Sequence, residues 1–335
     1  MEFVEPSVVA VNEPDLTKKI EHCYRICYQS ESKMTDSNAF LLNLLNMQAK
    51  NKHYSPLEHA RIVIKVDGRI AGAMEEWERR RETRFMKVDY DYKDEHGAYQ
   101  IRVTANFRSL REFVEDFDPD FDRNGNYSVS LAIAQYAISA ELNKHFPVLI
   151  NKIENFPQGI LPESVMLHLP CTYIGEADDY QTFRIVTSRD MLQQFARHRS
   201  HSFSVESTKF IDYTKKGFTF CIPRPYEWAN VDWNAITAYH PDTVEYPNPQ
   251  VEIAVKHANL CERAYFAMMK TGVKRFEARI CLPGMYKTEL FLSATRRGWL
   301  NFISLRDDDH ADPQIHYIAK QIHDYLKENK KEWFK

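Results

Sequence analysis

Ten glycines in a chain of 335 residues leave few positions free to adopt positive φ, and that shortage restricts the folds open to it. Neither GxGxxG nor GxxxxGK(S/T) occurs. A Rossmann turn and a P-loop are therefore unsupported, and any nucleotide must be held without a glycine-rich cradle. The length suffices for one large domain or two small ones, with a core that needs no disulfide or metal.

Charge and cysteine usage narrow the function classes. Lys and Arg number 44 against 47 Asp and Glu, a net charge of −3. Long-range attraction to nucleic acid or an anionic membrane is not expected, so an anion site must be local. No apolar run reaches the length of a membrane span. The opening MEFVEPSVVA lacks the basic and apolar segments of a secretory signal. Cysteines 23, 27, 171, 221, 261 and 281 form no CxxC pair, which favours free thiols in a reducing cytosol. The histidines show no HExxH, and the arginines around His198 and His201 repel a cation, so no metal site is expected.

Hydrophobic periodicity predicts helices over 14–29, 36–50 (with Asp36 or Ser37 as cap), 128–145, 189–199, 251–271 and 312–329. A turn at Ser55-Pro56 leads into a strand with Ile62, Ile64 and Val66 on one face. The run 75–84 reads as a solvated helix face. One or two strands are expected over 165–187, a polar stretch and an aromatic strand over 200–225, and a loop over 226–248. Segments 99–116 and 284–306 each read as a strand running into a helix. Within them, IRVTANFRSLREFV (101–114) aligns without gaps to LFLSATRRGWLNFI (290–303), with Ala105/Ala294, Arg108/Arg297 and Phe113/Phe302 identical. Either a duplication or two unrelated units of similar composition would produce this. In both, an Arg in the first helical turn suits an anion.

The segment QQFARHRSHSFSVESTKF (193–210) carries the densest chemistry. Gln194, Arg197 and His198 fall on one helical stripe, and Arg199, Ser202, Ser204, Glu206, Ser207, Thr208 and Lys209 follow. Guanidinium forks beside hydroxyls make a phosphate-binding surface without glycine. A helix C-terminus stabilised by cations would look the same.

Arg197-His198-Arg199, seven residues and then Ser207 resemble the signature of the flavin-dependent thymidylate synthases. Ser202, Ser204, Glu206 and Ser207 fit the wider pattern, while Val205, Lys209 and Phe210 depart from it. HYSPLEHARIVIKV (53–66), with His53, Ser55, Pro56, Glu58 and His59, is similar to a second family block, and RICYQS (25–30) to an early one. A block over 278–315 is similar to a fourth, through Arg279, Pro283, Thr288, Glu289, Arg297, Asn301, Arg306, His310 and Gln314. The resemblance covers roughly 14–66 and 181–325. Segment 68–180 is expected to be an insertion of the longer family branch, within a single 1–335 domain; similar insertions there carry a strand-to-helix unit, which would make the repeat a family feature.

The resemblance implies a mixed α+β fold of strand–helix units with long packing helices, as in thymidylate synthase-complementing proteins. It implies methylation of dUMP to dTMP with FAD, methylenetetrahydrofolate as carbon donor and NADPH as reductant, without a catalytic cysteine. By the matched positions, Arg306 would be catalytic, stabilising an enolate-like uracil. Gln194, Arg197, Glu206, Ser207, Thr208, Lys209, Arg279 and Arg306 would contact dUMP. His53, Ser55, Arg197, His198, Arg199, Thr295, Arg297 and Asn301 would contact FAD, with Thr295 standing where the family usually has Asn. The three acids after Arg306 would compete for it. The family also implies a homotetramer with sites at subunit interfaces, acting on small molecules in the cytoplasm of a cell or phage-infected cell. Two alternatives are a relative making a modified pyrimidine nucleotide such as 5-hydroxymethyl-dUMP, and a non-catalytic nucleotide- or flavin-binding homologue.

Overall fold

Short polar side chains set the helix starts in the computed structural model, which describes residues 1–48, 54–81, 86–118, 129–154, 156, 171–237 and 245–335. The elements in chain order begin with β1 (Glu2–Val4), β2 (Ser7–Ala10), α1 (Leu16–Ile26), α2 (Ala39–Gln48), β3 (Arg61–Val66), α3 (Gly68–Arg81), β4 (Met86–Lys93) and β5 (Tyr99–Asn106). They continue with α4 (Phe107–Glu115), α5 (Val129–His145), β6 (Cys171–Glu176), β7 (Tyr180–Ser188), α6 (Leu192–Ala196), β8 (Ser202–Val205) and β9 (Thr219–Cys221). The last are α7 (Pro249–Lys270), β10 (Lys287–Thr295), α8 (Arg296–Arg306) and α9 (Pro313–Asn329). Asp15 accepts from Thr17 N at 2.9 Å ahead of α1, and Ser37 Oγ from Ala39 N at 3.2 Å ahead of α2. Asn248 and Asp312 cap α7 and α9, each followed by a proline whose missing N–H costs nothing in the first turn.

The chain divides into two compact units, and the stretch 68–180 falls within the second. The first comprises Met1–Asn12, His22–Met34 and Gln181–Lys335; the second comprises Glu13–Glu21 and Thr35–Tyr180.

In the second unit the sheet runs β4-β5-β3-β6, each neighbouring pair antiparallel. Ile62, Ile64 and Val66 are buried together, as their alternation predicts, with Ile62 opposite Ala105 and Ile64 opposite Val103. Helices α3 and α4 both pack on α5. Arg79, Arg80 and Arg81 lie on the exposed face expected for the charge run, while Met74 and Trp77 bury the other face of α3.

In the first unit the sheet runs β2-β7-β10-β8. Phe183 and Ile185 of β7 join Leu290 and Leu292 of β10, Trp299 and Phe302 of α8, and Ile315, Ile318, Ile322 and Leu326 of α9 in one core. Each such fully buried side chain contributes roughly 1.5–3 kcal/mol. A second core gathers Phe218, Phe220, Tyr265 and Tyr286 beside the parallel pair β1–β9 and α7.

Three expected elements differ. The helix predicted over 189–199 is a 3₁₀ turn (Arg189–Met191) followed by α6, which stops at Ala196. The chain must reverse into β8 at Ser202, and it leaves through a turn in which His198 N donates to Phe195 O at 2.9 Å. The polar stretch after it is strand β8, because β10 supplies its ladder, with Leu292 opposite Phe203 and Ser293 opposite Ser202. Within 226–248 a helical turn at Glu227–Ala229 and a short helix at Trp233–Thr237 form, and residues 238–244 lie outside the described residues.

Gly298, in the first turn of α8, permits a close approach. A Cβ there would stand 2.9 Å from Ala294 Cβ and 3.3 Å from Ser200 Oγ. Gly298→Ala should therefore destabilise the protein by about 1–3 kcal/mol despite the better helix propensity of Ala, read as a lower urea midpoint. An unchanged midpoint would contradict the close packing of the 199–201 loop on α8.

Candidate functional site

The two parts of the first unit that carry the Arg-His-Arg segment and the 296–306 helix meet along their length. At one end, Ser200 and His201 close on the start of α8: Ser200 Oγ reaches the space above Gly298, and the His201 ring stands edge-on to Trp299 at 4.8 Å. At the other end, Arg306 Nε donates to His198 Nε2 at 3.0 Å, and Arg306 Nη2 donates to the Gln194 carbonyl at 3.3 Å. Between them Phe302 packs against His198 at 4.8 Å and Phe195 at 5.8 Å. The Gln194–Arg197–His198 stripe predicted for a continuous helix is replaced by a turn. It leaves His198 inside (5% exposed) and Arg197 and Arg199 outside.

The hydrogen bond from Arg306 fixes the state of His198. A guanidinium can only donate, so His198 Nε2 must carry a lone pair and the ring proton sits on Nδ1. Burial, with the Arg306 charge beside it, holds His198 down to about 4. Burial pushes His201 down to about 3, with His198 adding to the effect. Both rings are neutral near neutral pH. Burial and the nearby Arg197 also lower Arg306, which nevertheless stays cationic.

The three acids after Arg306 do not take it. Asp307 accepts from His316 Nε2 at 3.1 Å and is also bonded to His323 Nδ1, while Asp308 pairs with His310 at 3.0 Å. Arg306 thus keeps donor capacity beyond His198 and Gln194 O.

Arg297 and Asn301 lie one turn apart on the exposed side of α8, and Thr295 caps the helix by accepting from Gly298 N at 3.3 Å. Among the described residues, Arg197, Arg199 and Arg297 have no carboxylate or other hydrogen-bond partner. Arg297 stands at the start of α8 and Arg197 near Arg306 at its other end, so the exposed guanidiniums without partners are spread along the helix, each able to take an anion.

The other predicted positions are engaged differently. Glu206 is buried, its Oε2 accepting from Lys287 Nζ at 2.8 Å; Lys287 also reaches Glu289 at 3.1 Å, and Glu289 pairs with Arg184. Burial raises Glu206. Burial alone would raise Glu289 too, but Lys287 and Arg184 outweigh it and hold it low. Ser207 is tied through its N–H to Cys27 O at 3.2 Å, and Thr208 is buried. Lys209 lines a surface pocket of about 310 Å³ with Met269, Val273, Lys274, Arg275 and Phe276. Arg279 is exposed just past the Arg275–Ala278 turn, where Arg275 donates to Phe210 O at 3.1 Å. Ser55 opens the 3₁₀ turn before β3 in the second unit, and His53 lies outside the described residues. Burial pushes Cys27 up to about 11 and Cys171 and Cys221 up to about 12, so none of these is a ready thiolate.

The sequence weighs His201 only against a metal site and gives it no other role. Its place in the wall is set by Trp299, 98 positions away, and only the start of an alternating strand at Ser202 hinted that it turns inward.

Free histidine titrates near 6.5, so the unfolded chain binds protons that buried His198 and His201 refuse. Their contribution is complete above about pH 6.5 and is lost as pH falls toward their folded values. Urea midpoints should therefore drop between about pH 7 and pH 4.5, and drop less in His201→Leu. An equally steep profile in that variant would contradict a buried neutral His201.

Comparison with known proteins adds a family. The model described as "Thymidylate synthase complementing protein" matches residues 8–145 and 179–329. Curated relatives include a flavin-dependent thymidylate synthase of Wolinella succinogenes, 33% identical over 141 residues (42% of this chain, 62% of the relative). One of Campylobacter jejuni is 33% identical over 144 residues (43% and 63%). A probable one of Mycobacterium phage D29 is 28% identical over 148 residues (44% and 60%). The chain thus spans only about three fifths of these relatives' length. Among solved structures, thymidylate synthase X of Helicobacter pylori with FAD and dUMP aligns at a TM-score of 0.32 and 23% identity, covering 43% of this chain and 66% of that one. A UMP/dUMP methylase of Streptomyces cacaoi bound with 5-Br UMP aligns at 0.34 and 20%, covering 44% and 69%. No helix among the described residues is long and apolar enough to cross a membrane.

Proposed function

The chain belongs to the thymidylate synthase complementing protein family, and from that premise we propose that it is a flavin-dependent methyltransferase converting dUMP to dTMP. The observation that carries the reading is the Arg306–His198 pair, flanked by Arg197, Arg199 and Arg297 without partners among the described residues.

A uracil ring is nucleophilic at C5 in its anionic, enolate-like form, whose negative charge is shared between C5 and the carbonyl oxygens, so a cation at those oxygens favours it. Arg306 suits this role. His198 and the Gln194 carbonyl occupy two of its donors and fix the plane of the guanidinium, and its remaining N–H groups can donate to an oxygen on which negative charge grows. His198 remains neutral and so does not cancel the charge it orients. Lys209 offers a single cation to a phosphate where the family's Arg would offer a fork. Among the described residues, Arg199, Arg297 and Asn301 would hold FAD, whose diphosphate fits exposed guanidiniums at a helix start. FAD supplies the redox chemistry, with methylenetetrahydrofolate as carbon donor and NADPH as reductant. Assembly into a homotetramer acting in the cytoplasm belongs to the same proposal, since in one chain Lys209 lines a pocket away from the contacts of Arg306.

Purified protein should show a flavin absorbance band and oxidise NADPH faster with dUMP present. Arg306→Ala should retain the flavin and lose dTMP formation by at least about 100-fold, measured by product mass spectrometry. Activity kept in that variant would overturn the role of Arg306, and a colourless protein that takes up no added FAD would overturn the flavin reading.

A further inference from the structure

The two units repeat one frame. Their sheets run β4-β5-β3-β6 and β8-β10-β7-β2. The elements can be matched as β3-α3-β4-β5-α4-α5 in one and β7-α6-β8-β10-α8-α9 in the other, with β9 and α7 inserted between β8 and β10. The gapless alignment of 101–114 with 290–303 falls on corresponding elements, and both copies cap the helix in the same way. Asn106 Oδ1 accepts from Ser109 N at 2.9 Å, and Thr295 Oγ1 accepts from Gly298 N at 3.3 Å.

Packing extends the correspondence beyond that alignment. Trp77-Glu78-Arg79-Arg80-Arg81 ends α3, and Phe195-Ala196-Arg197-His198-Arg199 ends α6 and its turn. Trp77 stands edge-on to Phe113 at 5.4 Å, and Phe195 stacks on Phe302 at 5.8 Å, where Phe113 and Phe302 are aligned partners. Matching Arg61-Ile62-Val63 of β3 to Arg184-Ile185-Val186 of β7 pairs Glu58 with Gln181.

The charges then diverge at Arg108 and Arg81. Arg108 is held by Glu58 at 2.6 Å and by Glu112 at 2.9 Å. At the two positions that match Glu58 and Glu112 the first unit carries amides, Gln181 and Asn301. Arg81 pairs with Asp116, whereas its counterpart Arg199 has no acid among the described residues and Leu305 stands where Asp116 does; Arg80, which pairs with Glu76, stands where the first unit has His198, and Arg79 and Arg197 are both without an acid among the described residues.

We propose that the chain carries two copies of one anion-binding frame and that only the Arg197–Arg199–Arg297 copy takes a ligand. Glu58 and Glu112 are the specificity-determining residues that shut the other copy by occupying Arg108 from within. This rests on the reading above in naming a diphosphate-bearing cofactor as the anion. The full-length chain binds one such group, not two.

Calorimetric titration of the full-length, flavin-free protein with inorganic pyrophosphate tests this. Wild type should bind one pyrophosphate per chain, Arg297→Ala should lose it, and Arg108→Ala should leave it unchanged. The pair Glu58→Gln with Glu112→Asn, which installs the first unit's amides, should raise the stoichiometry toward two. Two sites in wild type, no site, or loss in Arg108→Ala would overturn the proposal. So would an unchanged stoichiometry in a double variant with wild-type circular dichroism. One pyrophosphate per chain without FAD uptake would overturn the flavin reading while leaving the silent copy standing.

Discussion

The hydrogen bond from Arg306 to His198 is the interaction on which the candidate site depends. It joins the last residue of α8 to the turn after α6, and so holds two sequence-distant segments in one register. It also requires a neutral imidazole. Protonation of His198 would set two cations face to face in a partly dry site, and burial already disfavours it. The arrangement keeps Arg306 charged, oriented and only partly spent.

Such an anchor works because its surroundings are rigid and apolar. Phe195, Phe302 and Trp299 form a wall behind the two histidines, continuous with the core of β7, β10 and α9. Polar groups buried against that wall cost stability unless neutral, so the fold's loss of stability in acid and the availability of Arg306 share one cause. The outer arginines gain nothing from the wall, and without carboxylates of their own among the described residues they hold charge available for a ligand. In the second unit the corresponding frame pairs Arg108, Arg80 and Arg81 internally, through Glu58, Glu112, Glu76 and Asp116.

Much of this was legible in the chain itself. The alternation of Ile62, Ile64 and Val66, the helices α7 and α9 and the strand-to-helix pairs appear where local pattern places them, because each is a short-range signal. What was not legible is non-local. The helix over 189–199 ends early because the chain must reverse into β8, a demand made by β10 some 90 positions later. Asp307 looked like a rival for Arg306 until His316 and His323, on the next helix, claimed it. Arg108 and Arg297 are identical in the alignment, and only their partners, one of them 50 positions away at Glu58, separate a closed frame from an open one.

Hydrogen exchange of the backbone with and without FAD and dUMP tests the central claim most directly. Ligand should slow exchange at 197–201 and 296–302 of the first unit and leave 56–60 and 107–112 of the second unchanged. Protection confined to the second unit, or none in either, would contradict the assignment of the ligand to the unpaired arginine frame.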